Sequence, residues 1–360
     1  MTPADHPPTW KRLSLALAAL LLSAGLRATA QTATAKDLPL AQGKSDLLAG
    51  FSHGVGYSGF RHGQHPDRGE GAVNPSDAEL LEDLRILGKD NNFGLISLFD
   101  SGENSEAVLR LIRKHRLSMK VLLGTWLNAE VNNPGCSWLK PIPQATLDAN
   151  KLKNKQEVER GIRLAREYAE CVVAVSVGTE CQASWTDHMV PEESLIAYLR
   201  AVKKAVKQPV TTADNDAWWA KQGARVAREV DFVAVDNYPI WDKKGIDEAL
   251  PYSIQMLQAI RNAIPDRKLV ITQAGWTTAG TEFGTSPSEE NQKRYINEML
   301  KWTRSMNITF FIFEAFDEDW KGDPGNAPGG EKHWGLFTVD RKPKLVMQDK
   351  YPELAPVKAK

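Results

Sequence analysis

Glu180 stands where an apolar run stops. The run, VVAVSVG at 172–178, is made of branched and small side chains and suits a strand buried on both faces. Gly178, Thr179 and Glu180 end it. A carboxylate is costly to place where a buried strand opens into a loop. In barrel enzymes that end of a strand carries the catalytic groups, whereas a solvated Glu paired with Arg is the ordinary alternative. Seven further apolar runs also close on polar or aromatic residues. Tyr57 follows the first, Asp100 the second, Trp126 the third and Asp214 the fifth. Asp236, Asn237 and Tyr238 close the sixth, Gln273 and Trp276 the seventh, and Glu314, Asp317, Glu318 and Trp320 the eighth. Carboxyls, amides and aromatics without a Lys or Arg majority describe a pocket for a neutral polyol better than one for phosphate. Carboxyl groups move protons, amides bind hydroxyls and rings stack on sugar C–H faces, so the chemistry suggested is glycosidic.

These residues converge only if the eight runs are neighbouring strands. The runs fall at 47–57, 93–100, 119–126, 172–178, 209–214, 230–239, 268–276 and 308–316. Helical spacing separates them. Leu80, Leu81, Leu84 and Leu87 mark a helix over 77–88, and Val108, Leu111 and Ile112 one over 107–115. Val158, Ile162 and Ala165 mark a third over 155–170. Pro191-Glu192-Glu193 opens a fourth, with Leu195, Tyr198, Leu199 and Val202 on its apolar stripe. The last clear one covers 287–306. Strand alternating with helix eight times predicts an α/β fold, a (β/α)8 TIM barrel in a single domain over residues 47–356. No GxGxxG follows the first strand, which argues against a dinucleotide-binding open sheet.

Ahead of the barrel, Lys11 and Arg12 precede LSLALAALLLSAGL, and Ala28-Thr29-Ala30 offers a small-x-small cleavage site. Residues 1–30 therefore read as a signal peptide, 31–46 as a disordered lead, and the mature chain as periplasmic or secreted, with no membrane contact after cleavage. Basic and acidic residues balance at 45 each, which gives no field for nucleic acid or an anionic membrane. The three cysteines, Cys136, Cys171 and Cys181, form no CxxC, and no His cluster has ligand spacing, so neither a metal nor a cofactor is expected. In an oxidising compartment one disulfide can form, though the sequence does not say which. Eleven tryptophans serve either core packing or sugar stacking.

Several stretches together carry a resemblance. GVGYSGFRHGQHP, VDNYPIW, ITQAGWTTAG, and FEAFDEDWK followed by EKHWGLFTVDRKPK resemble glycoside hydrolase family 17, the β-1,3-glucanases and glucanosyltransferases, and its bacterial branch most of all. The resemblance runs from about Gly50 to Lys344. It implies β-1,3-glucan, as polysaccharide or oligosaccharide, as the partner. It implies Glu180 as acid/base, because VGTE stands where the family has VGNE or VGSE, with Thr179 as a weaker partner for the sugar 2-hydroxyl. It also implies substrate contacts from Tyr57, Asp236, Asn237, Tyr238, Trp276, Asp317, Trp320 and Lys321, and a supporting role for Glu314.

The sequence departs from the family at the nucleophile. The family's ETGW motif is Gln273-Ala274-Gly275-Trp276 here, so the nucleophile position holds an amide. A retaining glycosidase needs two carboxyls about 5–5.5 Å apart, and an uncharged amide neither attacks C1 well nor stabilises an oxocarbenium ion as a carboxylate does. Three readings follow. Gln273 is an engineered knockout; or Glu180 acts as acid with Asp236 or Glu314 as base toward water; or the chain is a pseudoenzyme that binds glucan without cutting it. Ser97 and Phe99 also replace the family's Arg and Tyr, which leaves substrate preference open.

Overall fold

A computed structural model describes residues 40–67 and 69–355. The expected signal peptide and residues 31–39 of the expected lead lie outside the described residues. Gln42, later in that lead, bonds to the barrel: its backbone N–H donates to Met306 O at 2.8 Å and its Nε2 to Leu269 O at 3.0 Å.

Eight parallel strands close into a barrel in sequence order. They are β1 (His53–Gly56), β2 (Leu95–Leu98), β3 (Lys120–Thr125), β4 (Val172–Thr179), β5 (Val210–Asn215), β6 (Phe232–Asp236), β7 (Lys268–Ala274) and β8 (Thr309–Ile312). Closure comes from β1, whose Val55 pairs with Ile96 of β2 on one side and Ile312 of β8 on the other. Among the described residues, seven α-helices connect the strands: α1 (Asp77–Gly88), α2 (Glu103–Lys114), α3 (Gln144–Glu167), α4 (Glu192–Ala205), α5 (Asp216–Lys221), α6 (Ile246–Ala263) and α7 (Glu289–Met306). The expected TIM barrel is the fold.

Each strand alternates between two cores, because successive side chains point to opposite faces of the sheet. Leu95, Leu122, Ala174, Phe232, Ala234, Val270 and Phe311 fill the barrel axis. Ile96, Val121, Val175, Val233, Ile271 and Phe310 face outward and pack with Leu84, Val108, Leu164, Leu199, Leu257 and Met299 of the helices. Fully burying one such aliphatic side chain contributes about 1.5–3 kcal/mol, so the alternation is strongly selected.

The first strand is shorter than its apolar run. Leu47–Gly50 instead form a 3-10 turn, and Leu48 is packed with the axial residues of β2, β3 and β4. The third helix begins at Gln144, well before the expected 155, in a polar stretch that shows a single buried apolar residue, Leu147, in its first turns. The helix between β5 and β6, α5, is short; the Asn215 side chain caps it by accepting from Ala217 N at 3.0 Å.

Candidate active site

Two irregularities at the C-terminal ends of strands build the site. Along β4 the ladder with β5 runs through Ser176↔Thr211 and then jumps to Thr179↔Ala213. At that jump Gly178 takes φ 78° and Glu180 φ 49°, both left-handed. A Cβ on Gly178 would also sit 2.9 Å from Cys181 Sγ, so this turn requires glycine. The Glu180 N–H donates to Ala213 O at 2.9 Å, which pins the turn to β5.

The second irregularity lies in β7, whose register shifts against both β6 and β8 and leaves Asp236 paired with Gln273. Such a break overrides the two-residue alternation and re-aims side chains. Consecutive residues therefore reach one carboxylate: Thr272 Oγ1 donates to Asp236 Oδ1 at 2.7 Å, and Gln273 Nε2 donates to Asp236 Oδ2 at 3.1 Å. The Gln273 carbonyl accepts from the Tyr238 hydroxyl at 2.7 Å.

Glu180 keeps partial exposure, but its Oε1 is shielded and receives no hydrogen bond from any described protein group. Burial pushes its pKa well above the usual carboxylate range, and Asp236, Asp214, Glu331 and Asp216 push it further. Burial likewise raises Asp236, and lifts Asp214 to about 7 against the stabilising N–H groups of Asn215 and Gln182. Tyr238, raised by burial, feels Glu180, Asp236, Glu331 and Glu314 in turn. Glu180 and Gln273 thus lie around one tyrosine, at one mouth.

Glu314 is clamped. Lys321 Nζ donates to both of its oxygens, at 2.7 and 2.6 Å, and lies 2.7 Å from Glu318 Oε2. Lys321 also sits 4.6 Å over the Phe313 ring, and Ser58 donates to the other oxygen of Glu318. Burial drives Glu314 upward in spite of Lys321. Glu318 is pulled down, because Lys321 and Ser58 outweigh its own burial.

Four expected substrate contacts are engaged elsewhere. Tyr57 is buried and its hydroxyl donates to Asp83 of α1 at 3.2 Å. Trp276 is fully buried against Tyr295 of α7, and its Nε1 donates to Ser286 O at 3.0 Å. Asn237 is fully buried between Asp216 and Ser253. Asp317 accepts from Gly335 N at 2.9 Å and Lys344 Nζ at 2.7 Å, which ties down the loop after β8. In each case the residue ends the right strand but faces the helices or a loop. Thr179 is half-buried and its carbonyl accepts from His188, while Trp320 is half-buried with its ring edge against Phe60. The three cysteines are buried free thiols.

Other residues emerged only from the fold. Asp216 and Glu331 join the acidic cluster around Glu180, and Thr272 bonds to its member Asp236; Thr272 lay in the noticed motif ITQAGWTTAG and Glu331 in EKHWG, whereas Asp216 lay in none. His188, in the β4–α4 loop, stacks on Trp126 and bonds the carbonyl that precedes Glu180. Trp126, Trp138, Trp185 and Trp241 are the exposed tryptophans among the described residues, and Trp241 stands against Phe283. All four lie on loops that follow β3, β4 or β6 and so belong to the site's end of the barrel.

The chain is similar to known glycoside hydrolases. A BtgE/BtgC glycoside hydrolase domain model matches residues 54–335. A glucan 1,3-beta-glucosidase of Arthroderma benhamiae is 32% identical over 201 residues, 49% of this chain and 61% of that protein. A putative glucan endo-1,3-beta-glucosidase, btgC, of Aspergillus niger is 26% identical over 305 residues, 76% of this chain and 41% of that protein. The chain thus spans between two-fifths and about three-fifths of these curated relatives. Among solved structures, the endo-laminarinase from Formosa Hel1_33_131 superposes with TM-score 0.73 at 23% identity, covering 89% of this chain and 90% of that one. The glycoside hydrolase family 17 beta-1,3-glucanosyltransferase from Rhizomucor miehei superposes with TM-score 0.63 at 21% identity, covering 82% and 96%. At those identities the superpositions establish the barrel, and the matched domain establishes the kinship: this chain belongs to the BtgE/BtgC glycoside hydrolase domain family, within the family 17 relatives that its motifs resemble.

Proposed function

We propose that this protein is an exported glycoside hydrolase or glucanosyltransferase acting on β-1,3-linked glucan, with Glu180 as its acid/base group. One observation carries the reading. A carboxyl at the end of β4, with a shielded oxygen that no described protein group engages and a pKa raised by burial and then by neighbouring carboxyls, is suited to deliver a proton to a glycosidic oxygen. The names of the fungal relatives, and a Rhizomucor miehei beta-1,3-glucanosyltransferase solved with laminaritriose, support a β-1,3-glucan in that role. Export rests on residues 1–30.

In this reading Glu180 protonates the leaving oxygen as the C1–O bond breaks. Water or a sugar hydroxyl then attacks C1 and passes its proton to a second group, which must be in its ionised carboxylate form to accept it. Gln273 cannot be a covalent nucleophile, so Asp236, hydrogen-bonded behind it, or Glu314 takes that proton. Both are occupied: Asp236 by Thr272 and Gln273, Glu314 by Lys321. Turnover is therefore slow. That same occupancy favours the second reading, a catalytically impaired glucan-binding protein. Reducing-sugar release and binding on laminarin, with the wild type, Glu180→Gln and Gln273→Glu, separate the two. Turnover that disappears in Glu180→Gln upholds the enzyme. Binding with no turnover upholds the binder, and no binding sinks both.

A further inference from the structure

The loop after β4 carries a device that the chemistry above leaves unused. Trp126, the first residue beyond β3, is 36% exposed, and its backbone N–H is held by Glu157 Oε1 at 3.1 Å. Glu157 also accepts from Ser101 N at 2.6 Å and pairs with Arg160. One face of the indole lies on His188, with centroids 4.5 Å apart and planes 32° from parallel. The imidazole is itself fixed at both nitrogens. Nε2 donates to Thr179 O at 2.8 Å. Nδ1 lies 2.7 Å from Asp187 Oδ1 and 3.1 Å from Thr186 Oγ1.

The bonding fits either charge state of the ring. Protonated, the imidazole donates to Asp187 and Thr179. Neutral, it keeps Nε2–H on Thr179, and the Thr186 hydroxyl can turn to donate to Nδ1. In both states the Thr179 carbonyl is held, and the next residue is Glu180 in its left-handed conformation. Among the described residues, Asp187 pairs with His188, and Asp214 feels its charge.

We propose that Trp126 is a sugar-stacking platform for the β-1,3-glucan chain beside Glu180, and that His188 is a positioning residue which braces that platform and locks the backbone turn presenting Glu180. The proposal rests on the glucan reading above. A flat, half-exposed ring whose other face is already packed loses little freedom on binding, and a pyranose C–H face complements it. Because β3 and β4 are neighbours in the barrel, with Thr125 paired to Val177, the platform adjoins the acid rather than the far side of the mouth. Trp241, on the loop after β6, stands across β5 and carries its own partner, Phe283. The platform on the Glu180 side is the one wired to the acid.

The test uses the mature protein with laminarihexaose, by calorimetric binding and by initial rates. Trp126→Ala should weaken binding about tenfold and raise KM with little change in kcat, while Trp126→Phe retains most of both. His188→Leu should lower kcat about tenfold and move the basic limb of the pH–rate profile. His188→Gln keeps an N–H for Thr179 O and should restore kcat. A wild type that binds and Trp126→Ala that binds equally well overturn the platform. His188→Leu with an unchanged kcat and pH limb overturns the positioning role. If the wild type binds without turnover, binding decides both parts: unchanged affinity in either Trp126→Ala or His188→Leu counts against the part it tests. A wild type that does not bind the hexaose sinks the glucan reading and this proposal together.

Discussion

The amide nitrogen of Gln273 donates to Asp236 Oδ2 at 3.1 Å while its carbonyl accepts from Tyr238 at 2.7 Å, so both ends of the amide are in use. A carboxylate at position 273 would keep the tyrosine bond but face Asp236 oxygen to oxygen. Two carboxyls at that separation cannot both ionise, and the pair holds a shared proton. Gln273→Glu therefore raises the folded-state pKa of the pair above the unfolded values near 4. Stability contributed by the shared proton is present at low pH and is lost as pH rises through that raised pKa. We expect the Tm deficit of Gln273→Glu to be larger at pH 8 than at pH 5. Adding Asp236→Asn restores a donor opposite the new carboxylate and should recover both Tm and turnover at pH 8. Equal Tm values for the single and double variants at pH 8 would show that the two positions are not coupled.

Glu180 pits stability against activity. Burial first, then Asp236 and the other carboxyls, raises its folded pKa, so the fold loses stability as pH climbs from the unfolded value near 4.3 toward that pKa. Glu180→Gln removes this penalty. It should therefore raise Tm at pH 7, with the gain shrinking toward pH 4, while turnover falls about 10²–10⁴-fold. In the wild type, activity should decline on the alkaline side as Glu180 deprotonates. A Glu180→Gln variant that is less stable at pH 7, or that keeps wild-type turnover, counts against the assignment.

The strands could be read from sequence because parallel strands buried on both faces make continuous apolar runs, and α1 showed its leucine stripe, to which the structure adds a Ser76–Glu79 capping box. What each strand end does was only half legible. Listing the residues that close the strands found Glu180, Gln273, Asp236 and Tyr238. It also gathered Tyr57, Trp276 and Asn237, which point away from the mouth. A closing residue is placed by the pleat, and the breaks at Gly178 and at Thr272–Gln273 reset the pleat locally. Neither break has a strong sequence signal beyond one glycine. His188 was invisible for a different reason: its partners, Trp126 and Thr179, lie on other segments and meet it only once the barrel closes.

Trp276 distinguishes the two roles that its motif allowed. Lodged between β7 and Tyr295 with its N–H on Ser286, it supports α7. Trp276→Ala should cost about 3–5 kcal/mol through the cavity it leaves. Protein that remains folded at low temperature should bind laminarihexaose with unchanged affinity. Chemical denaturation and calorimetry at 10 °C measure the two quantities. A milder Trp276→Phe guards against outright unfolding, and lost affinity in that variant would return the residue to the cleft.

Lys321 holds together the floor on the β8 side. Its ammonium is the only basic group within ion-pair distance of Glu314 and Glu318 among the described residues, and both carboxyls are almost wholly buried. Lys321→Met keeps the apolar stem over Phe313 but leaves two facing carboxyls without a cation, and removing one partner of a buried pair costs about 3–5 kcal/mol. Without the cation both carboxyls titrate above their unfolded values near 4.3, so the deficit must grow as pH rises and shrink toward pH 4. Adding Glu314→Gln to Lys321→Met removes one of the two stranded charges and should recover part of the loss at pH 7. Tm measured from pH 4 to pH 8 for the three proteins tests this. A deficit independent of pH would mean that Lys321 acts through packing alone, and that the carboxyls beneath the cleft were never ionised.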